Sequence, residues 1–261
     1  MKTFTIITIN YNNCKGLKNT IESTISQSCN DYEYIIIDGG STDESIDVIN
    51  EYVSQIDYWV SEPDKGIYNA MNKGLCHATG KWVCFMNSGD CFADSLILEK
   101  ISLFERNNND IEIIYGNWQM ISNNNSIIKY IAKPFFFNNN KILNGWGCRH
   151  QAMFVKTKIA QNLQFNESYK ISADFDMIMK IYKLKNKNVF KYIDIIIATI
   201  QPDGISKLLI KDAFYESAII LNKYPSFEYY WCYFKKFYYF RLEWAVKSRL
   251  KKIFYSNKYD T

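Results

Sequence analysis

Histidine is almost missing from this chain. Only His77 and His150 occur in 261 residues. That is too few for a histidine-rich zinc centre, or for a site using several imidazoles as acids and bases. The seven cysteines, Cys14, Cys29, Cys76, Cys84, Cys91, Cys148 and Cys232, include no CxxC pair. Their odd number and their places inside apolar runs point to reduced, mostly buried thiols in a cytoplasmic protein, not to a disulfide framework. No run reaches the roughly 18–20 apolar residues of a spanning helix. The start, Met1-Lys2-Thr3-Phe4-Thr5-Ile6, lacks the apolar stretch of a secretory leader. Neither GxGxxG nor the P-loop pattern GxxxxGKS/T follows an apolar run, so neither phosphate-cradling fingerprint is present.

What is there suffices for a core. The chain is 48% hydrophobic and 22% charged, enough for one large α/β domain or a domain with an appendage. The net charge of +4 is uneven. Residues 207–261 hold nine Lys and two Arg against five acids, a net +6, which leaves −2 for residues 1–206. We therefore expect a basic helical extension at 207–261 beyond a body at 1–206, which a change of pattern after about residue 105 divides into 1–105 and 106–206.

Apolar runs that end abruptly in polar clusters mark the strands. Phe4–Ile9 ends in Asn10-Tyr11-Asn12-Asn13, and Tyr34–Ile37 in Asp38-Gly39-Gly40-Ser41. Tyr58–Val60 is closed by Ser61-Glu62-Pro63-Asp64-Lys65-Gly66, and Trp82–Met86 by Asn87-Ser88-Gly89-Asp90. Stripes at Leu17/Ile21/Ile25, Ile46/Ile49/Val53 and Ile67/Met71/Leu75 predict helices between them, and Ser41 with Glu44 has capping-box spacing for the second. Such alternation predicts a parallel, helix-covered sheet. Right-handed crossovers then bring Tyr11, Asp38, Asp64 and Asp90 to one carboxyl edge. Asp90, with Asn87 and Ser88 beside it, suits a hard divalent cation that a ligand phosphate also grips; a plain turn accounts for the same residues. Asp38-Gly39-Gly40 sets a carboxylate where a phosphate cradle wants bare amides, which suits a base N–H or a ribose hydroxyl.

Later the pattern shifts. Ile111–Tyr130 reads as short antiparallel strands around Asn123-Asn124-Asn125. The aromatic stretch Phe135–Arg149, with Gly145-Trp146-Gly147, suits a saccharide surface or the core equally. His150–Val155 returns to strand character. Ala173-Asp174-Phe175-Asp176 opens a helix whose first-turn acids fit simple capping as well as chemistry. Tyr224–Trp244 holds twelve aromatics in twenty-one residues. Phe227, Trp231, Phe234, Tyr238, Leu242 and Val246 keep helical spacing, with Lys and Arg between them. Such a helix suits an anionic membrane surface or packing on the main body. No nucleic-acid module accompanies it, so nucleic acid is not an expected partner. No residue pattern specifies an oligomeric state.

Together Thr8-Ile9-Asn10-Tyr11-Asn12, Ile37–Asp43, Ser61–Gly74, Ala78-Thr79-Gly80 and Phe85–Asp90 resemble the family 2 glycosyltransferases, inverting enzymes of the GT-A fold. The resemblance covers about residues 1–105, resumes at His150-Gln151 and Ala173–Asp176, and is lost after about residue 206. It implies a mostly parallel central sheet with helices on both faces and a small antiparallel part. It also implies a nucleotide-sugar donor, most often a uridine diphosphate sugar. Asp38 then accepts from the uracil N–H, Tyr11 stacks near the base, and Asp64 and Lys65 hold the nucleoside. Thr8, Asn10, Gly39, Asn87 and Ser88 complete the nucleotide site. Asp90 is the acid of the metal motif for Mn²⁺ or Mg²⁺, with Asn87 and Gly89 where relatives often carry acids. Asp174 matches the catalytic base, Ala173 replaces the Glu before it, and Asp176 is the rival base. Trp146, His150 and Gln151 are candidates to touch the sugars.

The implied reaction moves a hexose or N-acetylhexosamine to a polyprenyl-diphosphate-linked saccharide, forming a β-glycosidic bond in O-antigen, capsule or exopolysaccharide synthesis. The enzyme then works at the inner face of the cytoplasmic membrane, docked through residues 225–255. A nucleotide-sugar-binding protein with a decayed site and a nucleotidyltransferase-like enzyme are the alternatives.

Overall fold

A computed structural model describes residues 2–108, 110–121, 126–132, 149–201 and 209–239. Its first half follows the apolar runs. Strands β1 (Phe4–Asn10), β2 (Tyr32–Asp38), β3 (Tyr58–Ser61) and β4 (Trp82–Phe85) pair in parallel in the order β3-β2-β1-β4. Helices α1 (Cys14–Ile25), α2 (Ser45–Glu51) and α3 (Ile67–His77) connect them.

The second half is mixed. Short β5 (Cys91–Phe92) and α4 (Ile97–Arg106) lead into the hairpin of β6 (Ile113–Ile121) and β7 (Ile127–Tyr130). Then come β8 (Met153–Lys156), α5 (Thr157–Leu163), α6 (Ala173–Lys185) and the long β9 (Phe190–Ile200). Antiparallel β8 joins β4 to β6, and β6 pairs in parallel with β9, so one sheet runs β3-β2-β1-β4-β8-β6-β9-β5.

The strands read as unbroken apolar runs because both faces are covered. Side chains alternate across the pleat. Phe4, Ile6, Tyr34, Ile36, Trp82 and Cys84 enter a core under α1, α2 and α4. Ile7, Ile35, Ile37, Val83 and Phe85 enter a second core under α3, α5 and α6. At about 1.5–3 kcal/mol per buried large apolar side chain, these two cores dominate the fold's stabilisation.

Two expectations change. Ser41 and Glu44 form no capping box: α2 begins at Ser45, its N-cap Glu44 makes no side-chain bond, and the Ser45 N–H donates to Asp43 Oδ1 instead. The thiols are not mostly buried, since only Cys84 is buried among the six described, all free, and Cys76 is exposed. Ala78-Thr79-Gly80 lies far from the carboxyl edge, where the Thr79 hydroxyl and the Gly80 N–H donate to Glu33 at 2.7 and 2.9 Å. A Cβ on Gly80 would fall 2.6 Å from the Phe4 backbone carbon, so glycine is needed for that close approach.

Beyond β9, helices α7 (Ile210–Ile220) and α8 (Phe227–Phe234) follow. Ile220 packs with Phe175 and Met179 of α6, and Phe214 packs with Tyr229 of α8. Among the described residues, no helix is long and apolar enough to cross a membrane.

Candidate active site

The parallel register lines up the carboxyl ends of the first strands, with Asn10 opposite Asp38 and Asp38 opposite Ser61. The Gly39 backbone lies between two of the expected residues. A Cβ there would fall 2.5 Å from Asp64 Oδ2 and 3.3 Å from Tyr11 Cδ2. Tyr11 is 66% exposed and Lys65 is exposed beside this wall. Asp64 Oδ1 accepts from the Gly66 N–H at 2.8 Å and shapes the turn into α3.

Asp38 is wholly buried. Its carboxylate accepts from Asn10 Nδ2 (2.8 Å), the Gly40 N–H (3.1 Å), the Ser41 N–H (2.8 Å), the Ser41 hydroxyl (2.6 Å) and the Ser61 hydroxyl (2.6 Å). Five donors saturate a carboxylate's acceptor capacity. Burial pushes its pKa up, but these bonds outweigh burial and hold it below the ordinary carboxylate value. Asp38, expected to accept from a base N–H, thus has both oxygens engaged by donors of the protein and organises the loop from within. Thr8 and Asn10 also turn inward. The Thr8 hydroxyl donates to the Met86 carbonyl at 2.9 Å, and Asn10 is only 4% exposed. Sequence reasoning gave Ser41 and Ser61 no role at this site, since short hydroxyl residues in turns carry no signal of their own.

A second wall begins at the turn after β4. Gly89 sits at φ +101°, and its N–H donates to the Thr20 hydroxyl at 2.9 Å. Side chains rarely adopt that backbone conformation, and glycine at 89 takes it without strain. The Ser88 hydroxyl donates to the Asn13 carbonyl at 3.2 Å, tying this turn to the one after β1. Asp90 is 7% exposed. Its Oδ2 accepts from Gln151 Nε2 at 2.7 Å and its Oδ1 from the Gln201 N–H at 3.0 Å. Burial pushes its pKa up, against these two bonds. Gln151, expected at the sugars, is 7% exposed and serves Asp90 instead.

Asp174 meets this turn through His150. Asn87 Nδ2 lies 3.0 Å from His150 Nε2, and His150 Nδ1 lies 3.2 Å from Asp174 Oδ2. With the amide donating, Nδ1 carries the imidazole proton and donates to Asp174. The Tyr68 hydroxyl donates to Asp174 Oδ1 at 3.4 Å. Burial, then the Asp174 charge, holds the Tyr68 pKa far above its usual value, so this hydroxyl stays a donor. The rival Asp176 faces elsewhere. Two residues along a helix turn about 200°, and Asp176 is 8% exposed with Oδ2 2.8 Å from Lys180 Nζ. Trp146 and most of the aromatic stretch Phe135–Arg149 lie outside the described residues.

A hard cation needs oxygen donors. Asp90 supplies a carboxylate. Asn87 Oδ1 and Gln151 Oε1 are buried with no partner among the described residues. The donor set therefore fits Mg²⁺ or Mn²⁺, although no cluster of three acidic, His or Cys side chains exists among the described residues.

The family model of glycosyl transferase family 2 matches residues 5–163. The chain belongs to that family. A "PGL/p-HBAD biosynthesis glycosyltransferase" of Mycobacterium bovis is 26% identical over 81% of this chain and 82% of its own length. The Escherichia coli UDP-Glc:alpha-D-GlcNAc-diphosphoundecaprenol beta-1,3-glucosyltransferase WfgD is 31% identical over 55% of this chain and 56% of its own. Among solved structures, S. aureus TarS 1-349 with UDP aligns at TM-score 0.66 and 20% identity over 85% of this chain, which spans 64% of that one. Glucosyl-3-phosphoglycerate synthase of Mycobacterium tuberculosis, with Mn²⁺, UDP and phosphoglyceric acid, aligns at 0.61 and 13% identity over 87% of this chain and 80% of that one. This family 2 glycosyltransferase thus has the GT-A fold. The family resemblance carried by the strand-end motifs and the α/β sheet expected from them are both borne out.

Proposed function

We propose that this glycosyltransferase moves a hexose or N-acetylhexosamine from a nucleotide sugar, UDP-linked, to a saccharide on a polyprenyl diphosphate, with inversion to a β-glycoside. The observation that carries this reading is the link Asn87–His150–Asp174, which sets one carboxylate against the turn after β4. A sugar hydroxyl is a poor nucleophile until a carboxylate in hydrogen-bond reach takes its proton. Asp174 is that base. As Asp174 takes the proton of the acceptor sugar's hydroxyl, that hydroxyl oxygen attacks C1 from the face opposite the diphosphate, and the C1–oxygen bond to the diphosphate breaks. His150 and Tyr68 hold Asp174 by donating to its two oxygens. Tyr11, Gly39, Asp64 and Lys65 form the nucleoside wall, on a loop ordered from beneath by Asp38.

Asp90, with Asn87 and Gln151, would hold the divalent cation, which when bound supplies charge neutralisation for the departing diphosphate. The bound UDP and Mn²⁺ in the aligned structures, and the lipid-linked acceptor in the name of WfgD, support this choice of donor, ion and acceptor.

A lipid-linked acceptor places the work at a membrane surface. On α8, Tyr229 packs inward on Phe214, while Phe227 (85% exposed), Tyr230, Trp231 and Phe234 stand out to solvent. We assign this stripe, with the basic residues after it, to the inner face of the cytoplasmic membrane.

The test is a panel of UDP-sugars offered with synthetic undecaprenyl-diphosphate N-acetylglucosamine, with and without Mn²⁺. We expect a β-linked product, and turnover lower by at least about 100-fold in Asp174→Asn, with UDP binding retained. Transfer unchanged in Asp174→Asn, or no transfer from any UDP-sugar, overturns the proposal.

A further inference from the structure

The segment that delivers Asp174 is held by a residue far outside the motif region. Ser172 is the N-cap of α6, yet its side chain makes no capping bond. The amides just before the helix, at 170–172, go to Glu216 of α7, while within the first turn the Phe175 N–H donates to Asp174 Oδ1 at 2.8 Å. The Glu216 carboxylate accepts from the N–H groups of Lys170 (2.7 Å), Ile171 (3.1 Å) and Ser172 (3.0 Å). Glu216 is 7% exposed. The Ser172 hydroxyl adds a contact at 3.4 Å to the Ala213 carbonyl of the same helix.

The other end of this segment is fastened to α3. Asn72 exchanges two bonds with the Phe165 backbone, at 2.8 and 2.9 Å, and both Asn72 and Asn69 donate to Glu167 at 3.0 Å. Residues 165–172, which include a turn closed by the Tyr169 N–H on the Asn166 carbonyl at 3.2 Å, are therefore held between two clamps. Asp174 lies two residues past the second.

We infer that Glu216 is a positioning residue for the catalytic base, acting through the 170–172 amides; this rests on the reading of Asp174 as the base. An ionised carboxylate accepting three amide bonds makes strong, directional ties, roughly twice the strength of neutral ones. Its burial is tolerable only because every donor is aimed at it. A neutral amide in its place offers one acceptor oxygen for three N–H groups, and alanine offers none. Small displacements of a catalytic group cost turnover more than binding. The nucleotide walls lie on other elements, so loss of this clamp is felt in the chemical step.

The experiment compares full-length wild type, Glu216→Gln, Glu216→Ala and Asp174→Asn. Turnover is measured on the best pair from the UDP-sugar panel, UDP affinity by calorimetry with Mn²⁺, and local order by hydrogen exchange of peptides spanning 165–176. Expected is a kcat lowered about 10-fold or more in Glu216→Gln and further in Glu216→Ala, with UDP affinity and donor KM within about twofold. Exchange should rise at 170–176 while peptides of β1 and β2 stay protected. Glu216→Gln serves if Glu216→Ala fails to fold. Unchanged exchange at 170–176, or unchanged kcat in the Glu216 variants while Asp174→Asn is inactive, overturns the inference. Full turnover in Asp174→Asn overturns the base assignment instead.

Discussion

Single side chains here separate what holds a site together from what touches a ligand. Asp38 and Asp90 look alike as strand-end acids, but their surroundings push them in opposite directions. For Asp38 the folded pKa lies below the unfolded one. Its stabilisation is present above the ordinary carboxylate value, about 3.9, and is lost as pH falls through the lowered value. For Asp90 the folded pKa is raised, so the ligand-free fold loses stability as pH rises from about 3.9 through the raised value. The cost of the buried charge is then fully present at neutral pH. Asp90→Asn should melt no lower than wild type without ligand at pH 7, and should lose any Mn²⁺-dependent gain in UDP binding. Calorimetry of both proteins with and without Mn²⁺ checks this, and a large destabilisation of the ligand-free variant contradicts it. At this scale the sequence named Asp174, His150 and Asp90. It did not show that Gln151 and the Gln201 amide would occupy the Asp90 oxygens, because those partners lie just before β8 and just after β9, distant in the chain.

At the scale of elements, local patterns placed helices well and misassigned their ends. Ser41 and Glu44 have the right spacing for a capping box. Asp38, three residues before Ser41, nevertheless takes the serine hydroxyl at 2.6 Å, because a buried carboxylate needs donors more than an exposed helix end needs a cap. Ser41→Ala should therefore cost about 1–3 kcal/mol, against within about 0.5 kcal/mol for Glu44→Ala, as read by urea unfolding. Equal effects would restore the capping box. The α3 motif shows the same division of labour. Asn69 and Asn72 fasten the 165–167 segment, so Asn72→Ala, which strands a buried N–H and carbonyl of Phe165, should cost about 1–3 kcal/mol in the same measurement. The aromatic stripe of the C-terminal region splits between two partners. Tyr229 and Tyr233 meet Phe214, while Phe227, Trp231 and Phe234 are left outside.

For the whole molecule, the basic excess follows residue 206 in the sequence, as do the exposed aromatics of α8. Flotation with anionic vesicles should recover the wild-type chain at low salt. Recovery should fall as salt screens the surface charge, and should fall further in Trp231→Ser with Phe234→Ser. Equal recovery from neutral vesicles at any salt contradicts a charge-assisted surface. The same tail reaches back to chemistry through α7, which carries Glu216 to the entrance of α6. A boundary drawn from composition at residue 206 therefore separates Glu216 from the 170–172 amides it accepts from.

The sequence alone determined the parallel half of the sheet, its helices and the family. Those features are local: apolar runs, helical stripes, and turn residues whose chemistry does not depend on distant partners. Only the tertiary structure decided which acids face the crevice. Asp174 and Asp176 share one helical turn and differ by rotation, with His150 and Tyr68 on one side and Lys180 on the other. Long β9 and its parallel pairing with β6 were likewise invisible, since strand partnership is a non-local property. Saturation of Asp38 and the clamp of Glu216 on 170–172 arise the same way, from donors that folding brings to a buried charge.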